Sequence, residues 1–227
     1  MDRELLMTDA IQADLERAQQ MHQMISDTLA GSYDGELRST LFAGFMSVCL
    51  CHHEAILSLV KNDRLTASAL ALMRPLVESG CRGLFAGFEA TPEQLETIRT
   101  GGEPYLPFRS LIALLDKRFN TRKLFGQYGD MWKLLNDFTH TGIDQLSNRF
   151  DENGTIGSHH SEGTICELMR SSTSTLTRVA IPFLGSLKSQ DAATSINDVY
   201  IALYPLPTST TAEPAQESSS PDQSNPQ

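Results

Sequence analysis

The chain has one tryptophan, few cysteines and no uninterrupted apolar segment of membrane-spanning length. Its four cysteines among 227 residues argue against a disulfide framework and favour reduced thiols in a core. The longest apolar segment, residues 41–60, is interrupted by His52, His53 and Glu54, and the first 17 residues carry charges where a signal peptide has an apolar run. We therefore expect a cytoplasmic protein that has no membrane partner.

Several motifs that mark large enzyme classes are also missing. The chain contains no GxxxxGK[ST], no GxGxxG after a strand, no GxSxG and no HExxH. Cys49 with His52 or His53 has a helical spacing that could bind a metal, but no CxxC pair or second ligand pair completes four ligands. We interpret these residues as small core thiols beside surface histidines, and we expect neither a metal nor a cofactor.

Positive charge is concentrated in one segment of an acidic chain. The net charge of −10 argues against a surface that coats nucleic acid. Residues 1–34 hold seven acidic and two basic residues, whereas residues 109–133 hold six basic and two acidic ones. This basic segment, which includes Arg118, Arg122 and Lys123, is either a solvated face that pairs with the acidic first helix or a surface near a phosphate-binding site.

Apolar residues recur every three or four positions, which predicts an all-α bundle with short connections. Long helices are predicted over residues 5–29, 36–61, 66–88 and 164–187. Shorter helices are predicted from Thr91, from Phe108, after a turn at residues 126–130, and from Ile143. We assign residues 1–190 to the bundle and 191–205 to an extended connector. Residues 206–227, which lack Lys and Arg, are predicted to be a disordered acidic tail.

The third predicted helix places an arginine at the edge of its apolar stripe. Arg74 lies between Leu70 and Val77, and Glu78, one turn later, is its natural partner. Pro75 removes a backbone N–H and predicts a local kink. The pair is therefore either a structural clasp between helices or a contact for a ligand.

The stretch from Trp132 to Gly142 places several polar side chains on one predicted helix. Lys133, Asn136 and His140 stand at positions i, i+3 and i+7, so they share a face. His140 falls in the last turn, where the helix carbonyls favour a cation. It is either a packed histidine bonded to a backbone carbonyl or a residue with a chemical or phosphate-contacting role.

Two stretches resemble a bacterial family of helical proteins allied to the HEPN (higher eukaryotes and prokaryotes nucleotide-binding) fold. They are LMRPLVESGCRGL, with Arg74 and Glu78, and WKLLNDFTHTG, with Asn136, Asp137 and His140. The resemblance covers residues 10–190. It implies a HEPN-like bundle that forms a homodimer and works in phage defence or a toxin–antitoxin system, with an antitoxin or another protein as partner.

Catalytic HEPN proteins are metal-independent ribonucleases with an arginine separated by four to six residues from the histidine. The corresponding positions before His140 hold Leu135, Leu134 and Lys133, so the arginine is not matched. As an enzyme, the protein would use His140 as general acid or base, oriented by Asn136, with Lys133 or Arg74 stabilising phosphate charge. Otherwise it would bind RNA, a nucleotide or a partner protein, or be purely structural. The expected binding residues are Glu78, Asp137, Trp132, Arg118, Arg122 and Lys123.

Overall fold

The computed structural model describes residues 7–30, 35–61, 65–120, 126–140, 142–150, 152–157 and 159–205. These residues form an all-α bundle without strands, and one antiparallel bridge joins Phe150 and Ile156. The predicted fold class is therefore confirmed. The predicted tail at 206–227 lies outside the described residues. The helices are α1 (Asp9–Leu29), α2 (Leu37–Val60), α3 (Thr66–Phe88), α4 (Pro92–Arg99), α5 (Phe108–Arg118), α6 (Gly126–Thr139), α7 (Ile143–Ser147), α8 (Glu162–Ser186) and α9 (Gln190–Leu203).

Helix α1 shows how the periodic pattern becomes packing. Its buried side chains follow the predicted spacing of three or four residues and lie mainly against α8; they include Ile11, Leu15, Ala18, Met21 and Ile25. The helix begins at Asp9, four residues later than predicted. The hydroxyl of Thr8 accepts a hydrogen bond from the backbone N–H of Ile11, so Thr8 is the N-cap.

Helices α2 and α3 lie close together because α3 presents glycines to the aromatic side chains of α2. A Cβ on Gly83 would lie 2.9 Å from the Cβ of Phe45, and one on Gly87 would overlap the ring of Phe42. By contrast, Gly44 of α2 has nothing within 4 Å of its would-be Cβ. The close packing therefore depends on α3.

Helix α2 is apolar around most of its circumference. It is the one helix in the described part of the chain that is long and apolar enough to cross a membrane, by length and composition alone. In the bundle it packs against α3, α8 and α1. One such helix is weak evidence for a membrane span, because core helices of soluble proteins can meet the same criteria, although only 33% of its apolar window is buried.

Two segments are helical where the sequence predicted otherwise. The turn expected at residues 126–130 is the first part of α6. Glycine lowers helix propensity by about 1 kcal/mol, which packing of α6 against α3 and α5 overcomes. The extended connector predicted at 191–205 is also wrong, because α9 occupies Gln190–Leu203 and buries Ala193 and Ile196. A helix satisfies its own backbone hydrogen bonds, and no described strand lies alongside to do so.

Candidate functional site

Arg74 and His140 meet where α3 packs against α6. The Nη1 of Arg74 lies 2.7 Å from the Nε2 of His140, within hydrogen-bonding distance. Arg74 stands within α3, whereas His140 follows the last residue of α6 and its backbone N–H donates to the carbonyl of Asn136. The tertiary structure thus brings together the arginine and the histidine that the sequence had placed in one candidate site.

Two further contacts hold the guanidinium of Arg74. Its Nε donates to Oε1 of Glu78 over 3.0 Å, which confirms the predicted ion pair one helical turn apart. Its Cζ lies over the ring of Trp132, 4.9 Å from the ring centre. The side chains of Arg74 and Glu78 are 23% and 24% exposed, so this group lies at the surface of the bundle rather than within its core.

The contact with Arg74 determines the tautomer of His140. A guanidinium has N–H donors and no acceptor, so Nε2 of His140 must accept this hydrogen bond. The imidazole in this arrangement is neutral, and its proton is on Nδ1. The side chain is exposed, so a ligand that displaced the arginine N–H would meet a basic nitrogen lone pair.

Trp132 is part of the site through stacking. Its ring lies 3.9 Å, centre to centre, from the ring of Phe108, with 22° between the planes. Phe108 is the first residue of α5, so the aromatic pair joins α5 to α6 beside Arg74 of α3. The sequence predicted a binding role for Trp132 but not its contact with Phe108. The sequence feature that drew attention to Trp132 was its place as the chain's single tryptophan, at the start of a polar stripe.

The other residues of the predicted polar stripe lie earlier on α6. Asn136 is half-buried one turn before His140, and Lys133 is exposed. Lys133 and His140 are seven positions apart, which corresponds to about 10 Å along the helix axis. This spacing places Lys133 on the same side of α6 as His140, about two helical turns away.

Asp137 serves the connection between α6 and α7. Its Oδ2 accepts from the backbone N–H of Gln145 over 3.1 Å, and its carbonyl accepts from Gly142 N–H over 2.8 Å. A Cβ at Gly142 would overlap the carboxylate of Asp137. The sequence predicted that this carboxylate binds a ligand. In the structure it holds the backbone of the connection between α6 and α7.

Arg118, one of the residues of the basic segment, does not lie near His140. The Nε of Arg118 lies 3.4 Å from Oε1 of Glu89, and its Cζ lies over the ring of Phe88 at 5.7 Å. Glu89 is fifteen residues beyond Arg74, about 22 Å along α3. Arg118 therefore lies at the C-terminal end of α3, far from Arg74. Arg122 and Lys123, the other basic residues expected to bind, lie outside the described residues.

His53 was expected at the surface, but it is fully buried. Its Nδ1 lies 3.2 Å from Nδ1 of His22, and its Nε2 lies 3.1 Å from Oγ1 of Thr173. Burial, with His22 beside it, lowers the pKa of His53 to about 3. The hydroxyl of Thr173 donates to the carbonyl of Met169, so it accepts from Nε2 of His53. His53 then accepts from His22 through Nδ1.

The cysteine next to this histidine pair is a core residue. Burial raises the pKa of Cys49 to about 12, and its thiol lies 3.8 Å from the carbonyl of Leu76. A protonated thiol of this kind is a poor nucleophile and metal ligand. Across the described residues, no group of three or more His, Cys, Asp or Glu side chains could hold a metal ion.

A comparison with family models identifies the family to which the chain belongs. One model matches residues 46–202, well over half of the sequence. The chain belongs to DUF6988, a family of unknown function. The part that matches DUF6988 includes Arg74, Glu78, Trp132 and His140. No curated protein and no solved structure matches the sequence.

Proposed function

We propose that this DUF6988 protein is a metal-independent ribonuclease with a HEPN-like bundle, in which Arg74 of α3 takes the place of the unmatched motif arginine. The observation that carries the proposal is the 2.7 Å contact between Nη1 of Arg74 and Nε2 of His140. It puts a permanent cation beside a neutral imidazole at the protein surface. These two groups can supply the proton transfer and the charge stabilisation that phosphodiester cleavage without a metal needs.

The proposed reaction uses His140 as a general base. When RNA binds, Nη1 of Arg74 moves from Nε2 of His140 to a phosphate oxygen, which frees the Nε2 lone pair. Nε2 then accepts the proton of an RNA 2′-hydroxyl, and the resulting oxygen attacks the neighbouring phosphorus. The bond from phosphorus to the 5′ oxygen breaks, and that oxygen takes a proton from water. The hydroxide that remains takes the proton from His140, which returns the imidazole to its neutral form. The products are a 2′,3′-cyclic phosphate and a 5′-hydroxyl. Arg74, whose guanidinium stays charged, stabilises the negative charge on the phosphate oxygens.

Lys133 and Asn136 have supporting roles in this proposal. The exposed ammonium of Lys133 contacts a neighbouring phosphate of the RNA strand, whereas Asn136 orients the substrate or His140 from one turn away. A lysine provides a single compact charge, so it cannot replace the two-pronged contact of Arg74 with a phosphate. We therefore expect Lys133 to affect RNA binding more than the chemical step.

A second function from a different class rests on the same contacts. Arg74 bonds to Glu78 within α3 and touches Trp132 and His140 of the α6 region, so the cluster also fastens two helices together. In that alternative the protein is a non-catalytic bundle that has a structural or protein-interaction role, or that binds RNA or a nucleotide without cleaving it. Activity and stability of the same variants distinguish the alternatives.

The biological setting of the proposal comes from the HEPN resemblance. We propose that the protein is a cytoplasmic homodimer that works in a phage-defence or toxin–antitoxin system, with an antitoxin or another protein as its partner. Light scattering of the purified protein tests the dimer. Co-expression with the product of the adjacent gene, followed by a toxicity assay, tests the partner.

The deciding experiment is RNA cleavage in EDTA, which the metal-independent reaction should survive. His140→Ala and Arg74→Lys should both abolish cleavage while thermal stability stays nearly unchanged. The matched control is His159→Ala, which removes a histidine whose Nε2 lies 3.2 Å from the carbonyl of Thr155, away from Arg74. If cleavage is absent and His140→Ala lowers the melting temperature, the structural alternative is correct.

A further inference from the structure

The aromatic pair beside Arg74 suggests a role for Trp132 that differs from ligand stacking. We propose that Trp132 is a positioning residue: its ring is sandwiched between Phe108 and the guanidinium of Arg74, and this sandwich holds Arg74 against His140. The consequence for catalysis rests on the proposed ribonuclease function. The positioning itself does not, because it concerns contacts within the protein.

The distances support a ring that is covered on both faces. A phenyl ring centred 3.9 Å from the Trp132 ring and tilted by 22° covers one face of the indole. We infer that the guanidinium of Arg74, over the ring at 4.9 Å, covers the other face. A nucleic-acid base needs a free aromatic face on which to stack. Trp132 therefore has no face for a base unless Arg74 moves away.

Three contacts together define the orientation of the guanidinium. Glu78 accepts from Nε, Cζ lies over the ring of Trp132, and His140 accepts from Nη1. The N–H groups on Nη2 form the remaining edge, which a phosphate oxygen can approach. A site in which an arginine edge and an imidazole meet the ligand recognises the phosphate of the backbone and not the base. We therefore expect cleavage that depends little on base identity.

The chain offers a matched control for the stacking. Arg82 lies over the ring of Tyr105 at the same 4.9 Å, and its Nη1 lies 4.0 Å from Oε1 of Glu103. This pair has the same cation–aromatic distance, and Arg82 lies eight residues, about 12 Å, beyond Arg74 along α3. Removing the ring of Tyr105 should therefore cost stability in a comparable way without any effect on the tautomer of His140.

The test is the tautomer of His140, measured by long-range ¹H–¹⁵N correlation spectra of the histidine side chains in the full-length protein. The wild type and Trp132→Phe should show His140 with its proton on Nδ1. Trp132→Leu should release Arg74, so that His140 shifts toward the Nε2–H form that free histidine prefers. Phe108→Leu, which removes only the ring behind Trp132, should shift it in the same direction, and Tyr105→Leu should not shift it.

Each outcome decides the positioning role separately from ribonuclease activity. An unchanged tautomer in both Trp132→Leu and Phe108→Leu refutes positioning, even if both variants are less stable. A shifted tautomer in a protein that never cleaves RNA supports positioning and refutes the ribonuclease. If the protein cleaves RNA, Trp132→Leu should lower kcat about fivefold or more at nearly constant KM, and Trp132→Phe should restore it. A loss confined to KM would show that Trp132 binds substrate directly.

Discussion

Nε of Arg74 donates to Oε1 of Glu78 over 3.0 Å, one helical turn along α3, and the two side chains are almost equally exposed at 23% and 24%. The contact leaves the other end of the guanidinium directed toward His140. The ion pair therefore orients Arg74 more than it stabilises the bundle, because a partly solvated pair gains little free energy from its charges.

Glu78→Ala should accordingly lower the free energy of unfolding by only about 1 kcal/mol. A fully buried pair would lose roughly 3–5 kcal/mol, because an arginine would be left without a partner. Urea unfolding of the wild type and the variant measures the difference. Glu89→Ala, which removes the partner of Arg118 at 3.4 Å, is the matched control and should have a similarly small effect.

The buried His22–His53 pair should make the fold sensitive to acid. The pKa of His53 is lowered to about 3, and burial lowers the pKa of His22 as well, so the unfolded chain takes up protons that the folded protein resists. The free energy of unfolding should be constant above the ordinary histidine pKa of about 6.5. It should then fall with decreasing pH, by about 2 kcal/mol for His53 alone between pH 6.5 and pH 5.

Urea unfolding at pH 7 and pH 5 measures this loss. Glu54 is the charged residue that favours protonated His22, and Thr173 of α8 faces the pair with an uncharged hydroxyl. His53→Gln removes the buried imidazole, so the loss between the two pH values should shrink by about 2 kcal/mol relative to the wild type. His52→Gln, on the same helix, is the comparison: burial lowers the pKa of His52 too, but this residue is only half-buried, so its substitution should reduce the loss by less. Equal losses in wild type and His53→Gln would contradict the assignment.

Asp14 is a fully buried carboxylate, and each of its oxygens lies beside one arginine. Oδ1 lies 2.7 Å from Nη1 of Arg17, and Oδ2 lies 2.8 Å from Nε of Arg170. Arg170→Ala should cost about 3 kcal/mol, because part of the buried charge loses its compensation. Adding Asp14→Asn to that variant should recover stability, since it removes the charge itself. If the double variant is no more stable than Arg170→Ala, Arg170 stabilises the fold through packing and not through its charge.

Thermal or urea unfolding of the single and double variants measures both effects. The control is Arg99→Ala, which disrupts an exposed ion pair with Glu96 on α4 and should leave stability nearly unchanged. Buried and exposed ion pairs in the same chain are thereby compared directly.

Two glycine-to-alanine changes should shift stability in opposite directions. Gly87→Ala puts a methyl group into the ring of Phe42, so overpacking should cost about 1–3 kcal/mol. Gly44→Ala adds a methyl group in open space within α2 and should stabilise the protein by about 0.5–1 kcal/mol through helix propensity. Chemical denaturation of both variants provides the measurement. A stable Gly87→Ala would show that α2 can move away from α3.

Much of the fold could be predicted from local patterns. The stripe of Ile11, Leu15 and Ala18 determined a helix and its buried face, since a period near 3.6 leaves only one way to bury those side chains. The Arg74–Glu78 pair was equally predictable, because residues four positions apart on a helix are neighbours. Local patterns failed at α9, where strand propensity at residues 199–204 was overridden by burial of Ala193 and Ile196 against the bundle.

The candidate site depended on the tertiary structure. Spacing within a helix is enough to place Arg74 at the edge of one helix and His140 at the end of another. Only the packing of α3 against α6 decided that they touch, because 66 positions separate them and no local rule relates their side chains. The burial of His53 was decided in the same way. Its neighbours His22 and Thr173 come from α1 and α8, and only their packing on α2 removes its imidazole from water.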